Sequence, residues 1–243
     1  MKTFLLEVAA NSAASALAAQ DGGAGRVELC TALGEGGLTP SHAQIAIARE
    51  RLHIPLYVLI RPRAGDFLYD ALERDTMCRD IEQCVRLGCD GVVVGALDID
   101  GGVDRAHCRE LLDAAGPLGV TFHRAFDVAR DQREALEDVI SLGFERVLTS
   151  GARQTAIEGA ALIRDLVVQA GQRIVVMPGA GIDPGNVAPL RHATGANEFH
   201  ASAKQRLPSG MAYRAPYVRG MEEGEERSDV ERISAIVEAL AQD

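Results

Sequence analysis

The chain has 243 residues, 47% of them hydrophobic but only 4% aromatic, with no tryptophan and a formal net charge of −10. That is enough apolar material for one barrel-sized core of Val, Leu, Ile and Ala, and a surface of this sign repels phosphate backbones, so nucleic acid and membrane are not expected partners. Five cysteines, with no CxxC pair among them, argue against a disulfide framework or a zinc knuckle and point to a reducing cytoplasm.

The N-terminal MKTFLLEVAA superficially resembles a signal peptide, but Glu7 interrupts the apolar run and the Ala-rich continuation reads as a helix. A first strand is predicted over 4–10, with Asn11 as N-cap of a helix that stops at Gly22-Gly23. A strand over 26–30 leads through LGEGGLTPS to a helix over 40–52, and a strand over 55–61 leads through RPRAGDF to a helix over 71–88. Then follow strand 91–97 and helix 104–115, strand 119–126 and helix 131–142, and strand 146–150 and helix 154–170. Strand 173–178, helix 184–193, strand 198–203 and a last helix over 229–241 complete the pattern. Cys78, Cys84 and Cys89 lie in or beside a predicted helix and read as small core or surface residues. The stretch 204–228 reads as a long irregular loop, its acidic run Glu222–Glu226 as a solvated patch.

Periodicity of two in the apolar runs and 3.6 between them, repeated eight times, predicts an α/β fold: a single (β/α)8 TIM barrel domain over residues 1–243. Chemistry in that fold sits at the C-terminal ends of the strands, which here hold Glu7, Glu28, Arg61, His123, Asp127, Ser150 and His200. Alternation sharpens the expectation. Glu28 and Cys30 face the axis, opposite Val27 and Leu29. Glu7 shares a face with Leu5 and Ala9, Arg61 with Tyr57 and Leu59, His123 with Thr121 and Ala125, and His200 with Ser202. Two carboxylates, an arginine and two imidazoles would thus meet in one mouth, a costly arrangement that points to a site rather than a stability device.

From these residues Glu28 and His123 are the candidates for general acid/base work, and Arg61 and Arg63 for holding an anion. Gly179 and Gly181 in MPGAGI, with Ser202 in HASA, are placed where many barrels bind phosphate. The loop after the last strand is expected to close over the mouth and bring Arg214 to a bound anion.

Eight segments run in order through the chain: RVELC with EGGLTPS (26–30, 35–41), IRPRAGDF (60–67), LDIDGGVD (97–104), AGPLGVTFHRAFD (115–127), RVLTSG (146–151), GAGI (179–182), HASA (200–203) and MAYR (211–214). By these the chain resembles the copper-homeostasis CutC family. The resemblance implies a cytoplasmic (β/α)8 barrel, linked by name to copper tolerance and proposed to bind Cu(I). Family members commonly carry cysteine just after the first strand's Glu; this chain has Val8, Ala9 and Ala10, leaving Cys30 as the metal candidate on the interior face. Cu(I) asks for at least two soft donors. Three readings follow: a copper-homeostasis protein, an acid/base enzyme for a small sugar-like anion, phosphorylated or not, and a non-catalytic metabolite-binding barrel. A homo-oligomer remains compatible with all three.

Overall fold

The computed structural model describes residues 4–213 and 224–242. Eight parallel strands alternate with eight helices: β1 (Leu5–Ala10), α1 (Ala13–Asp21), β2 (Arg26–Leu29), α2 (His42–Arg51), β3 (Leu56–Leu59), α3 (Ala71–Leu87), β4 (Gly91–Val94), α4 (Arg105–Ala115), β5 (Gly119–Phe122), α5 (Gln132–Leu142), β6 (Arg146–Thr149), α6 (Ala160–Ala170), β7 (Val175–Pro178), α7 (Val187–Thr194), β8 (Glu198–Ala201) and, after a hairpin, α8 (Val230–Ala241). The sheet runs β7-β6-β5-β4-β3-β2-β1-β8, and the pair Gly179–His200 joins β7 to β8 and closes the ring. The alternation expected from sequence holds along the strands. Val8, Val27, Leu29, Val58, Val92, Val94, Phe122, Val147 and Phe199 are fully buried in the layer shared with the helices.

Several boundaries differ from expectation. Asn11 does not cap α1; Ser12 does, accepting from Ser15 N–H, while Asn11 donates to Glu226 O. The fifth strand stops at Phe122 because the chain turns into a 3₁₀ segment at Arg124–Val128, so Ala125 leaves the interior face and joins the outer core. Helix α6 begins at Ala160 rather than near 154, after a loop whose first residues, Ser150 and Ala152, bond to Asp127. Within the stretch read as irregular, β9 (Lys204–Leu207) pairs antiparallel with β10 (Glu225–Ser228). Both strands are polar on both faces, so neither shows an alternating apolar signal. Arg214 lies outside the described residues.

The lower barrel interior is ionic where branched aliphatics are usual. Arg26 is paired with Glu7 and, at 2.6 Å, with Glu198. Arg146 also reaches Glu198 at 2.6 Å and Glu145 at 2.8 Å. Tyr57 lies between the two guanidinium groups, 5.1 Å from that of Arg26 and 5.6 Å from that of Arg146, and donates its hydroxyl to Glu145 at 2.6 Å. Two glycines make room for this ring. A Cβ at Gly91 would lie 2.3 Å from Tyr57 Cε2, and one at Gly119 would lie 2.1 Å from Tyr57 Oη.

This packing gives a test by urea unfolding. Gly119→Ala should lower stability by about 1–3 kcal/mol through overpacking, and Tyr57→Phe, which deletes the oxygen the new methyl meets, should recover part of that loss. At Gly91→Ala the ring itself is struck, so the same Phe should recover nothing. Equal rescue at both glycines would refute the arrangement.

Candidate functional site

A cavity of about 290 Å³ opens at the C-terminal ends of the strands. Its walls include Glu28 and Cys30 from β2 and the residue after it, Leu59 and Arg61 from the end of β3, His123, Arg124 and Asp127 after β5, Leu148 from β6 and His200 from β8. Larger hollows exist, but that of about 720 Å³ bounded by Phe4, Leu5 and Leu240 lies at the opposite end of the barrel. Its one buried arginine, Arg191, donates to Leu240 O and lies over Phe4.

The deepest element is a carboxylate–imidazole–carboxylate row. Neighbouring strands β1 and β8 set Glu7 opposite His200, whose Nδ1 lies 2.8 Å from Glu7 Oε1. Its Nε2 lies 3.3 Å from Glu28 Oε2, on the cavity side. Glu7 itself is fully buried one level below the cavity, against Arg26 and His200. Burial pushes the Glu7 carboxyl up, but the Arg26 charge and the His200 bond outweigh it and hold it at about 2. Burial also pushes Glu28 up, reinforced by the Glu7 charge and only partly opposed by His200 and Arg26, to about 7. His200 loses affinity for its proton through burial yet is raised overall, because Glu28 and Glu7 flank it. The result is an imidazole with raised proton affinity between one firmly ionised carboxylate and one that titrates near neutrality.

His123 is built differently. Its ring lies 5.0 Å from that of Phe67 and packs so closely on Gly95 that a Cβ there would lie 2.5 Å from Nδ1. Nδ1 accepts from Ala125 N–H at 3.2 Å, so the neutral ring carries its proton on Nε2, which is buried without a partner among the described residues. Burial, with the Arg61 charge second, drives its pKa down to about 3. His123 is therefore held neutral, with its Nε2–H as a donor.

The arginines expected to hold an anion are engaged elsewhere. Arg61 lines the cavity but donates to Glu35 O, Gly37 O and Gly65 O at 2.7, 3.0 and 2.9 Å, tying two loops together. Arg63 is not on the cavity; it pairs with Glu73 and Asp66 and stacks over Tyr69. Asp127 accepts from Thr149 Oγ1, Ser150 N–H and Oγ–H, and Ala152 N–H, which anchors the loop after β6. Ser150 is buried in that knot, its single hydroxyl proton shared between Asp127 and Arg153 O. Gly179 N–H is bonded to Thr149 O, and Gly179, Gly181 and Ser202 are not on the cavity wall. Sequence reasoning passed over Arg124, which reaches the rim braced by Asp127 and Ser150 at 2.8 Å each. It also passed over Arg26 and Glu198, which share the parity of Glu28 and His200 and could have been found by the same alternation.

Residues 4–205 match the model of the CutC family. The chain belongs to the CutC family. A protein named "family protein CutC" from Xanthomonas campestris pv. campestris strain B100 is 60% identical over 235 residues, covering 97% of this chain and 98% of its own. Another of that name from Chromobacterium violaceum is 54% identical, covering 97% and 98%. The solved CutC structure from Streptococcus agalactiae superposes with a TM-score of 0.79 at 35% identity, covering 82% of this chain and 99% of that one.

In this CutC chain one soft donor, Cys30, faces the cavity among the described residues, and burial, with Glu28 second, pushes its thiol well above the ordinary range. Glu7, Glu28 and His200 place one donor atom each within 4.8 Å of one another, but oxygen and imidazole donors suit a harder ion than Cu(I). The donor set does not fit Cu(I).

His200→Gln should raise the Glu28 pKa above about 7, since it removes the strongest of the influences that lower it. Carboxyl-carbon NMR titration of the two proteins reads this directly, and an unchanged or lower value would contradict the row as described.

Proposed function

We propose that the mouth is a catalytic centre that moves a proton on a small, sugar-like carbonyl compound. One observation carries the reading: a carboxylate that titrates near neutrality and an imidazole N–H with no partner among the described residues line the same cavity. Glu28 takes a proton from the carbon beside the carbonyl. His123 Nε2–H donates to the carbonyl oxygen, where negative charge develops, and because the ring stays neutral it polarises that oxygen without surrendering its own proton. His200, fixed by Glu7, orients Glu28. Arg124 offers a cation at the rim for an anionic or hydroxylated end of the substrate. A cytoplasmic location fits this reading, since the five cysteines are free thiols and no helix among the described residues is long and apolar enough to cross a membrane.

The test is deuterium incorporation from heavy water into a panel of small ketoses, ketose phosphates and keto acids, followed by proton NMR. Exchange should rise with pH through about 7, because Glu28 must be ionised to act. Glu28→Gln should reduce it roughly 10²–10⁴-fold and His123→Asn by a similar factor. Absence of exchange in every panel member, or exchange indifferent to Glu28→Gln, would sink the proposal.

The rival copper reading rests on the description of the streptococcal relative as a copper homeostasis protein, with one thiol, Cys30, on the cavity wall here. With one protonated thiol, Cu(I) affinity should be modest. Titration against a competing Cu(I) chelator decides it: tight stoichiometric binding that Cys30→Ala abolishes would establish the copper reading for the mouth.

A further inference from the structure

The two nitrogens of the His200 ring have different surroundings. Nδ1 lies 2.8 Å from Glu7 Oε1, and Glu7 is bonded through its other oxygen to Arg26. A buried carboxylate on Nδ1 takes a proton there and leaves Nε2 to face the cavity. On that side the spacing widens. Nε2 and Glu28 Oε2 are 3.3 Å apart, beyond the roughly 2.7–2.9 Å of a charge-assisted N–H···O bond.

A separation of 3.3 Å is one edge of a coordination tetrahedron. Zinc binds imidazole nitrogen and carboxylate oxygen at about 2.0–2.2 Å, so two such ligands at the tetrahedral angle lie about 3.3–3.6 Å apart. The Nδ1 bond to Glu7 is the outer carboxylate contact that metal-binding histidines carry on their second nitrogen, where it fixes tautomer and ring direction. The three side chains come from the adjacent strands β8, β1 and β2, so their spacing is set by the sheet rather than by loops. Each supplies one donor atom within 4.8 Å of the others, whereas Cys30 lines the cavity but is not of that group. Charge agrees with the geometry. Arg26 offsets Glu7, while Glu28 has no ion pair other than His200 among the described residues.

We propose that Glu28 and His200, backed by Glu7, form a site for a zinc-class divalent cation that enters from the cavity and inhibits the mouth reversibly. The ion bonds to His200 Nε2 and Glu28 Oε2, and the proton that either atom held leaves to water. The two remaining coordination positions face the cavity and take water. Glu7 stays on Nδ1–H and Arg26 and does not bind the ion. With two protein ligands instead of the three or four usual for zinc, the ion exchanges with solvent. Binding is a property of these atoms alone; the inhibition rests on the proposed role of Glu28 as base, because a coordinated carboxylate oxygen cannot accept a proton from substrate.

The test uses the full-length protein with 15N-labelled histidine, zinc chloride and ring-nitrogen NMR. One equivalent of Zn2+ should shift Nε2 of His200 and leave Nδ1 protonated on Glu7; Mg2+, which prefers oxygen ligands, should leave the ring unmoved. Competition with a zinc-responsive dye reads the affinity. Glu28→Gln should weaken it about 100-fold or more and Glu7→Gln about 10–100-fold, while Cys30→Ala should leave it unchanged. Zinc should also slow the deuterium exchange over the concentrations at which the ring shifts; if no compound exchanges, the ring signal still decides the site. A His200 ring that stays unmoved while the exposed His42, His53 or His192 shift, or an affinity that survives Glu28→Gln, would overturn the proposal. Full exchange with zinc on His200 would overturn the inhibition.

Discussion

An ionised carboxylate in a protein interior costs several kcal/mol unless cations and donors surround it, and Glu7, with no exposure, is in that position. Arg26 from the next strand and His200 from the previous one supply the surroundings. Their hold has a sign. The stability Glu7 contributes is present above its ordinary value of 4.5 and is lost as pH falls towards about 2. Glu28 runs the other way: raised to about 7, its contribution is complete below 4.5 and disappears as pH rises through about 7. One imidazole separates two glutamates with opposite proton affinities. The firmly charged one orients that imidazole, and the other is left to exchange protons with whatever enters the cavity.

Beneath this row the barrel gives its interior to charge and its cohesion to the outer layer. Arg26, Arg146, Glu198 and Tyr57 fill the space that branched aliphatics fill in most such barrels, and Gly91 and Gly119 lack side chains so that the Tyr57 ring fits. Val8, Val27, Leu29, Phe122 and Phe199 bury apolar surface against the helices instead. The division leaves the mouth on a floor whose groups are held by paired charges, and such pairs fix direction more than hydrophobic contacts do.

Much of this was legible in the order of residues. The eight apolar runs gave the barrel, and alternation within RVELC, TFHRAF and EFHAS placed Glu28, His123 and His200 on one interior. Those signals survive because a strand's parity is set by covalent geometry. Loop residues carry no such parity: IRPRAGDF shows two arginines two residues apart, and nothing in the string says that Arg61 would bond to carbonyls of a neighbouring loop while Arg63 turned to Glu73. Nor does sequence reveal the environment that decides chemistry. His123 and His200 read alike, yet one packs against Phe67 and a glycine and stays neutral, and the other lies between carboxylates that raise its proton affinity. The β9–β10 hairpin escaped because a ribbon wet on both faces has no pattern to read.

The ring itself is uneven. β1 meets each neighbour over four residue pairs, whereas β7 and β8 are joined at the single pair Gly179–His200. A cylinder with one such seam resembles a rolled sheet whose edges share one backbone pair, with the Arg146–Glu198 ion pair spanning them from inside. One member of that backbone pair is His200. The imidazole of the mouth and the one backbone pair between β7 and β8 thus belong to the same residue, so the chemistry of the cavity is anchored where the sheet is least continuous.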